Sequence, residues 1–241
     1  MKRLILYSLS AMLLAAACSN SEPLAPMQIT GFHLSSATPA TLAHWYSSNL
    51  DFDIEENNKA TVLSKGSMTI QLEKSEFSSL PVASRKRQPG FFKIGFKTPN
   101  LDLLFARLKA NGSDFRGEIF HDDHLKMRSL VARDADGNRV QFFEDKTIDS
   151  LQPYFFSIIV IDFEQTKAWV ESNMGFTELH RLDLPARGFL IRLMKKDGLL
   201  LEIISDDKVD SVSQPLPGII GIVFNRSEHS KGSGELRYNG L

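Results

Sequence analysis

Glu202 stands alone among apolar residues in Leu200-Leu201-Glu202-Ile203-Ile204. A carboxylate there must face a cavity, a partner or solvent, because burying it unpaired is costly. Such a group can act as a general base, a metal ligand or half of an ion pair. His121-Asp122-Asp123-His124 offers four metal-type side chains in a row. Consecutive residues cannot all converge on one ion without a tight loop, so a solvated turn between strands is the expected reading. His44 falls on a helix surface beside Trp45, His180 alternates with Leu179 on an expected solvent face, and His229 sits near the C-terminus. Glu144 and Asp145 close a strand and are expected in solvent. The chain has no Gly-x-Ser-x-Gly elbow and no phosphate loop. Its one cysteine, Cys18, permits no intramolecular disulfide.

The elements that must carry these groups repeat. Residues 27–36 form an expected strand. Thr38 and Pro39 then open a helix bearing Leu42, Trp45, Tyr46 and Leu50, with Thr38 as its cap. Three short strands follow near 52–55, 60–64 and 68–72. After a linker at 74–89 the same order returns: a strand at 91–96, a helix carrying Leu101, Leu104, Phe105 and Leu108, an Asn111-Gly112 stop, and strands near 115–120, 128–133 and 139–143. A third copy runs from Phe155, with Asp162 capping its helix and strands near 177–181, 189–194 and 199–204. Trp45 and Trp169 stand 124 residues apart, as do Phe52 and Phe176, and Gly90 and Gly218 stand 128 apart. Such a period marks internal repetition. A fourth copy opens at Gly218, but only 17 residues follow Phe224, and residues 225–241 read as an irregular tail.

Between two apolar segments lies Asp134-Ala135-Asp136-Gly137-Asn138. Asp and Asn can bond their own backbone and Gly tolerates positive φ, so a tight reversal is expected there. After it, Gln141 faces away from Val140 and Phe142. Phe91, Phe92, Phe96, Phe142, Phe143, Phe155 and Phe156 all fall on expected strands, so part of them should line the helix-covered core and part the opposite face.

Repeated βαβββ units, helix ends at Leu50-Asp51-Phe52 and Met174-Gly175-Phe176, and a closing Asp-x-Asp-Gly-Asn hairpin resemble the vicinal oxygen chelate superfamily of glyoxalases, bleomycin-resistance proteins and extradiol dioxygenases. The resemblance implies an α+β fold in which two units pair into a curved eight-stranded mixed sheet around a cup. It places the complete domain at 28–146 and a third unit, with the first strand of a truncated fourth, at 153–224. It also implies a divalent metal, with one ligand from the first and one from the last strand of each unit. The corresponding slots hold Gly31 and Gln71, Lys93 and Gln141, Phe155 and Glu202, with Gly221 opening the fourth unit. Glycine offers no ligand atom and an ammonium repels cations. His33 shares the face of Gly31, so His33, Gln71 and Gln141 are the fallback metal set, with Glu202 in the half domain. The expectation is a cup without resident metal, with His33, Gln71, Lys93 and Gln141 as ligand-binding residues for an apolar or aromatic small molecule. A metal-dependent lyase, isomerase or dioxygenase is the enzymatic alternative, and an interaction lipoprotein the structural one. The orphan third unit must cover an open sheet edge, on the first domain or through a homodimer, with the dimer favoured.

With 28 basic and 29 acidic side chains, the chain has no electrostatic case for nucleic acid. Lys2, Arg3 and the apolar stretch 4–17 make a targeting signal too short for a comfortable membrane span. Its end, Leu14-Ala15-Ala16-Ala17-Cys18, resembles a lipoprotein lipobox, although Ala15 holds the place where the usual pattern has Leu. The resemblance implies lipidation of Cys18, a tether over 18–27 and, with Ser19 next, an outer-membrane anchor facing the periplasm.

Overall fold

The computed structural model describes residues 27–56, 61–76, 88–209, 218–226 and 233–237; Cys18, its signal segment and His229 lie outside these. Four units follow one another. The first is β1 (Met27–Ser36), α1 (Pro39–Leu50), β2 (Asp53–Glu56), β3 (Thr61–Lys65) and β4 (Met68–Lys74). The second is β5 (Gly90–Thr98), α2 (Leu101–Ala110), β6 (Asp114–Phe115), β7 (Phe120–Asp122), β8 (Met127–Arg133) and β9 (Arg139–Glu144). The third is β10 (Gln152–Val160), α3 (Phe163–Trp169) with a π-helical turn at Val170–Met174, β11 (Thr177–Leu184), β12 (Phe189–Lys196) and β13 (Leu199–Asp206). The fourth is β14 (Gly218–Arg226) and β15 (Ser233–Arg237).

Local chemistry sets most of these boundaries. Asn100 and Asp162 cap α2 and α3, accepting from the backbone of Leu103 and Gln165 at 2.9 Å. Pro39 takes the first position of α1, but Thr38 does not cap it: its hydroxyl is 3.4 Å from Asp136 Oδ1 instead. The expected strand at 115–120 is broken into β6 and β7, both paired to β8.

The units pair, though not as the sequence suggested. One sheet runs β11-β12-β13-β10-β5-β9-β8-β6, with β7 also on β8; the other runs β15-β14-β1-β4-β3-β2. The complete paired sheet therefore joins the second and third units through antiparallel β5 and β10, so the pairing expected between the two units of 28–146 is corrected to one between units within 90–206. The first unit pairs instead with the fourth, β1 against β14. Connection length explains the choice. Residues 145–151 carry the chain from the end of β9 to the free side of β5, where β10 starts opposite Lys97. The first and second units are joined by the longer 75–89 segment, and β5 lies in the other sheet. The β10 edge that called for a second copy is thus covered within the chain. The tail is also corrected: Ser233–Arg237 is a strand, antiparallel to β14. A hairpin needs only backbone groups, so absent apolar periodicity did not forbid it.

The two sheets share one core. Phe32 of β1 packs edge-on against Phe96 of β5 at 5.5 Å, and Phe156 of β10 lies 5.9 Å from Phe224 of β14 and 6.2 Å from Phe176. Helix α1 clasps the second unit. Trp45 Nε1 donates to Ser113 Oγ at 3.0 Å, and the Tyr46 hydroxyl donates to Asp134 Oδ2 at 3.2 Å. The Asp134–Asn138 turn is consequently more than a hairpin. Asp134 also accepts from the backbone N–H of Asp136 and Asn138 and from Asn138 Nδ2, with Gly137 at φ 80°. Burial nonetheless raises the Asp134 carboxyl to about 6.

Candidate functional site

The second cluster of buried apolar residues lies on the opposite face of the larger sheet. Alternation sends Phe96, Phe142 and Phe156 to the shared core, and Phe143 and Phe155 to the other face with Tyr154 and Leu200. The curved sheet encloses a cavity of about 310 Å³ here, walled by Val131, Phe143, Phe155, Ile191 and Leu193. The exposed Arg116 and Phe120 border it. Glycine at 95 keeps its base open. A Cβ there would meet both Gln141 O and Phe155 Cδ1 at 2.9 Å.

The central strands of both units meet at the floor. Lys93 of β5 is opposite Ser157 of β10, and Ser157 is beside Glu202 of β13. The Lys93 ammonium lies 2.7 Å from Glu202 Oε2 and donates to Gln141 Oε1 at 3.4 Å. Ser157 Oγ donates to the same Glu202 oxygen at 2.7 Å. Lys93 and Glu202 are 13% and 17% exposed, so the pair is largely withdrawn from water. The rings of Phe155 and Phe92 stand 5.2 and 5.8 Å from the ammonium.

Of the ligand-slot residues, Lys93, Gln141, Phe155 and Glu202 converge in this cup. His33 and Gln71 are brought together elsewhere, as neighbours on β1 and β4 of the smaller sheet. The fallback set of His33, Gln71 and Gln141 is therefore split between two sheets, because the first unit does not pair with the second.

Near the cavity mouth, residues from two units touch. His124, in the turn after β7, stacks on His180 of β11 with ring centroids 3.8 Å apart. Asp122 Oδ1 holds that turn by accepting from the N–H of His124 and Leu125 at 3.0 Å. The solvated-turn reading suits His121 and Asp123, but Asp122, His124 and His180 line the cup. Glu144 and Asp145 are also engaged rather than solvated. Glu144 accepts from Arg128 and from the N–H of Leu101, and Lys97, 2.8 Å away, with Thr147 brings the Asp145 carboxyl down to about 2. Sequence reasoning missed Ser157. Its signal was a lone hydroxyl within Phe155-Phe156-Ser157-Ile158-Ile159, in the same unit as the lone Glu202.

The floor does not fit a resident divalent metal. Only Glu202 offers a charged oxygen, Gln141 a neutral one, and the Lys93 ammonium stands between them. Among the described residues there is no group of three or more His, Cys, Asp or Glu able to hold an ion.

The family model that matches is the Glyoxalase/Bleomycin resistance protein/Dioxygenase superfamily, over residues 29–142. Residues 29–142 belong to this superfamily. The match spans the first two units, whereas the cup is built by the second and third. Glyoxalase I from Zea mays has a similar structure: 13% identity, 82% of this chain, 74% of that one and a TM-score of 0.59. A proposed dioxygenase from Bacillus subtilis gives 10% identity over 83% and 70%, with a TM-score of 0.60. At such identities the likeness is one of fold. No curated protein matches the sequence.

Proposed function

We propose that this protein binds a small apolar or aromatic molecule in the cup between its second and third units, without a metal. The observation that carries this reading is the Lys93 ammonium between Glu202 and Gln141. A positive charge in that position supplies the attraction for the two side-chain oxygens and opposes entry of a second cation. The cavity supports it too: about 310 Å³ lies at the small end of ligand pockets, roughly 300–1,000 Å³. Its walls include aromatic and branched aliphatic side chains, with Lys93, Gln141 and Glu202 on the floor and Arg116, Asp122, His124 and His180 also lining it.

A metal-dependent lyase, isomerase or dioxygenase would need a different floor, and the names of the structural neighbours do not supply one. A purely structural role would leave the cavity without purpose. We further place the protein at the outer membrane, facing the periplasm, on the strength of Leu14-Ala15-Ala16-Ala17-Cys18. Among the described residues no helix is long and apolar enough to cross a membrane, and lipidated Cys18 would be the anchor.

Native mass spectrometry of protein purified without added metal, before and after chelation, tests the binding role. A retained organic ligand that survives chelation is the expected result. Stoichiometric divalent metal, with ligand lost on its removal, would overturn it. Mutation of Cys18→Ser should release the protein from the membrane fraction, and unchanged fractionation would remove the anchor.

A further inference from the structure

The floor of the cup has donors left over. An ammonium carries three N–H groups. Two of those on Lys93 are directed at Glu202 Oε2 and Gln141 Oε1. The third has no acceptor among the described residues. Gln141 has its oxygen fixed by Lys93, which leaves its NH₂ group as a donor toward the cavity it lines, and that group has no acceptor among the described residues either. Gln141 is 6% exposed. A ligand that displaces water from this donor must supply an acceptor or leave it unsatisfied, which is costly.

The acceptors point the other way. Both Ser157 and Lys93 donate to one oxygen of Glu202, Oε2, so that oxygen is committed to the protein. Resting on the binding role proposed above, we infer that the cup selects a neutral carbonyl compound with an aromatic or branched apolar body, its oxygen directed between Lys93 Nζ and the Gln141 amide.

Three alternatives for the ligand's inner end fail on charge or polarity. An amine would meet the Lys93 ammonium. A carboxylate would gain Lys93 but crowd against Glu202, whose charge already neutralises that lysine at 2.7 Å. A hydrocarbon would leave the Gln141 donors unsatisfied. A carbonyl oxygen has two lone pairs, no charge and no proton to place, so it can accept from both donors at once. The body of the molecule would then lie against Phe143, Phe155 and Leu193.

Four probes of one size separate these cases: acetophenone, ethylbenzene, benzoate and benzylamine, titrated into the whole chain by calorimetry. Acetophenone should bind at least tenfold more tightly than each of the others. Its carbonyl stretch should move to lower frequency in the infrared difference spectrum of the complex, because both donors polarise the bond. Substitution of Gln141→Leu should abolish the tenfold preference and reverse part of the shift, with ethylbenzene gaining affinity. The probe series on the unaltered chain decides the matter even if that variant does not fold. Equal affinity for acetophenone and ethylbenzene overturns the carbonyl inference and leaves the binding role standing. Tighter binding of benzoate overturns it in favour of an anion. Failure of all four to bind removes the inference and the binding role together.

Discussion

Lys93 Nζ and Glu202 Oε2 stand 2.7 Å apart across the line where the second and third units meet. Each residue comes from a different unit, so the contact exists only when those units have paired. Removing one partner leaves a largely buried charge alone, which costs about 3 kcal/mol. Lys93→Met and Glu202→Leu should each destabilise by that order in urea titrations, and the double variant should be more stable than either single one. A double variant as unstable as the summed singles would mean that the pair carries no coupling.

Acid and base act on this fold in separate windows. The Asp134 carboxyl is raised from 3.8 to about 6, chiefly by burial. Below about pH 4 folded and unfolded chains both hold this proton; between pH 4 and 6 only the folded chain does. Stability from this group is therefore full below pH 4 and is lost as pH rises through 6, by on the order of 3 kcal/mol for a two-unit shift. Asp145, brought down to about 2, acts oppositely: its contribution is present above pH 4 and lost as pH falls toward 2. Unfolding curves from pH 4 to 8 should show the first slope, and Asp134→Asn should flatten it.

Gly95 bears on the cavity directly. A methyl group there cannot fit without moving the Gln141 carbonyl or the Phe155 ring. Gly95→Ala should destabilise by about 1–3 kcal/mol, the usual range for an overfilled interior. The Phe155 ring would move toward the cup, so ligand affinity should fall in the same variant. Unchanged ligand affinity, measured by calorimetry, would show that the ring does not shape the site.

Much of the architecture was legible in residues. The recurrence of Trp45 as Trp169 and of Phe52 as Phe176 gave the repeat, and alternation sorted Phe142 from Phe143 between the two faces. Pairing was not legible from pattern, because all four opening strands carry similar apolar residues that suit the same core. What separated them was the length of the connections, seven residues at 145–151 against fifteen at 75–89. The slot positions pointed to Lys93, Gln141 and Glu202, yet assigned them to separate cups. His124 reads as part of a solvated turn and His180 as a residue on an expected solvent face, and only the folded chain stacks their rings, 3.8 Å apart.

Phe156 lies between Phe176 of its own unit and Phe224 of the fourth. Truncating a fully buried Phe costs about 3–5 kcal/mol. Because this ring belongs to the core of both sheets, Phe156→Ala should lower stability by that amount in one cooperative calorimetric transition. Two resolved transitions would mean that the sheets fold independently.

The central claim is that the second and third units together form a metal-independent binding cup. Saturable binding of acetophenone to chelator-treated protein, followed in parallel for Leu193→Trp and His33→Ala, tests it most directly. The account predicts binding that survives chelation, disappears when Trp fills the cup at 193, and is untouched by the change at 33. Binding restored only by added divalent metal, or lost with His33, would contradict it.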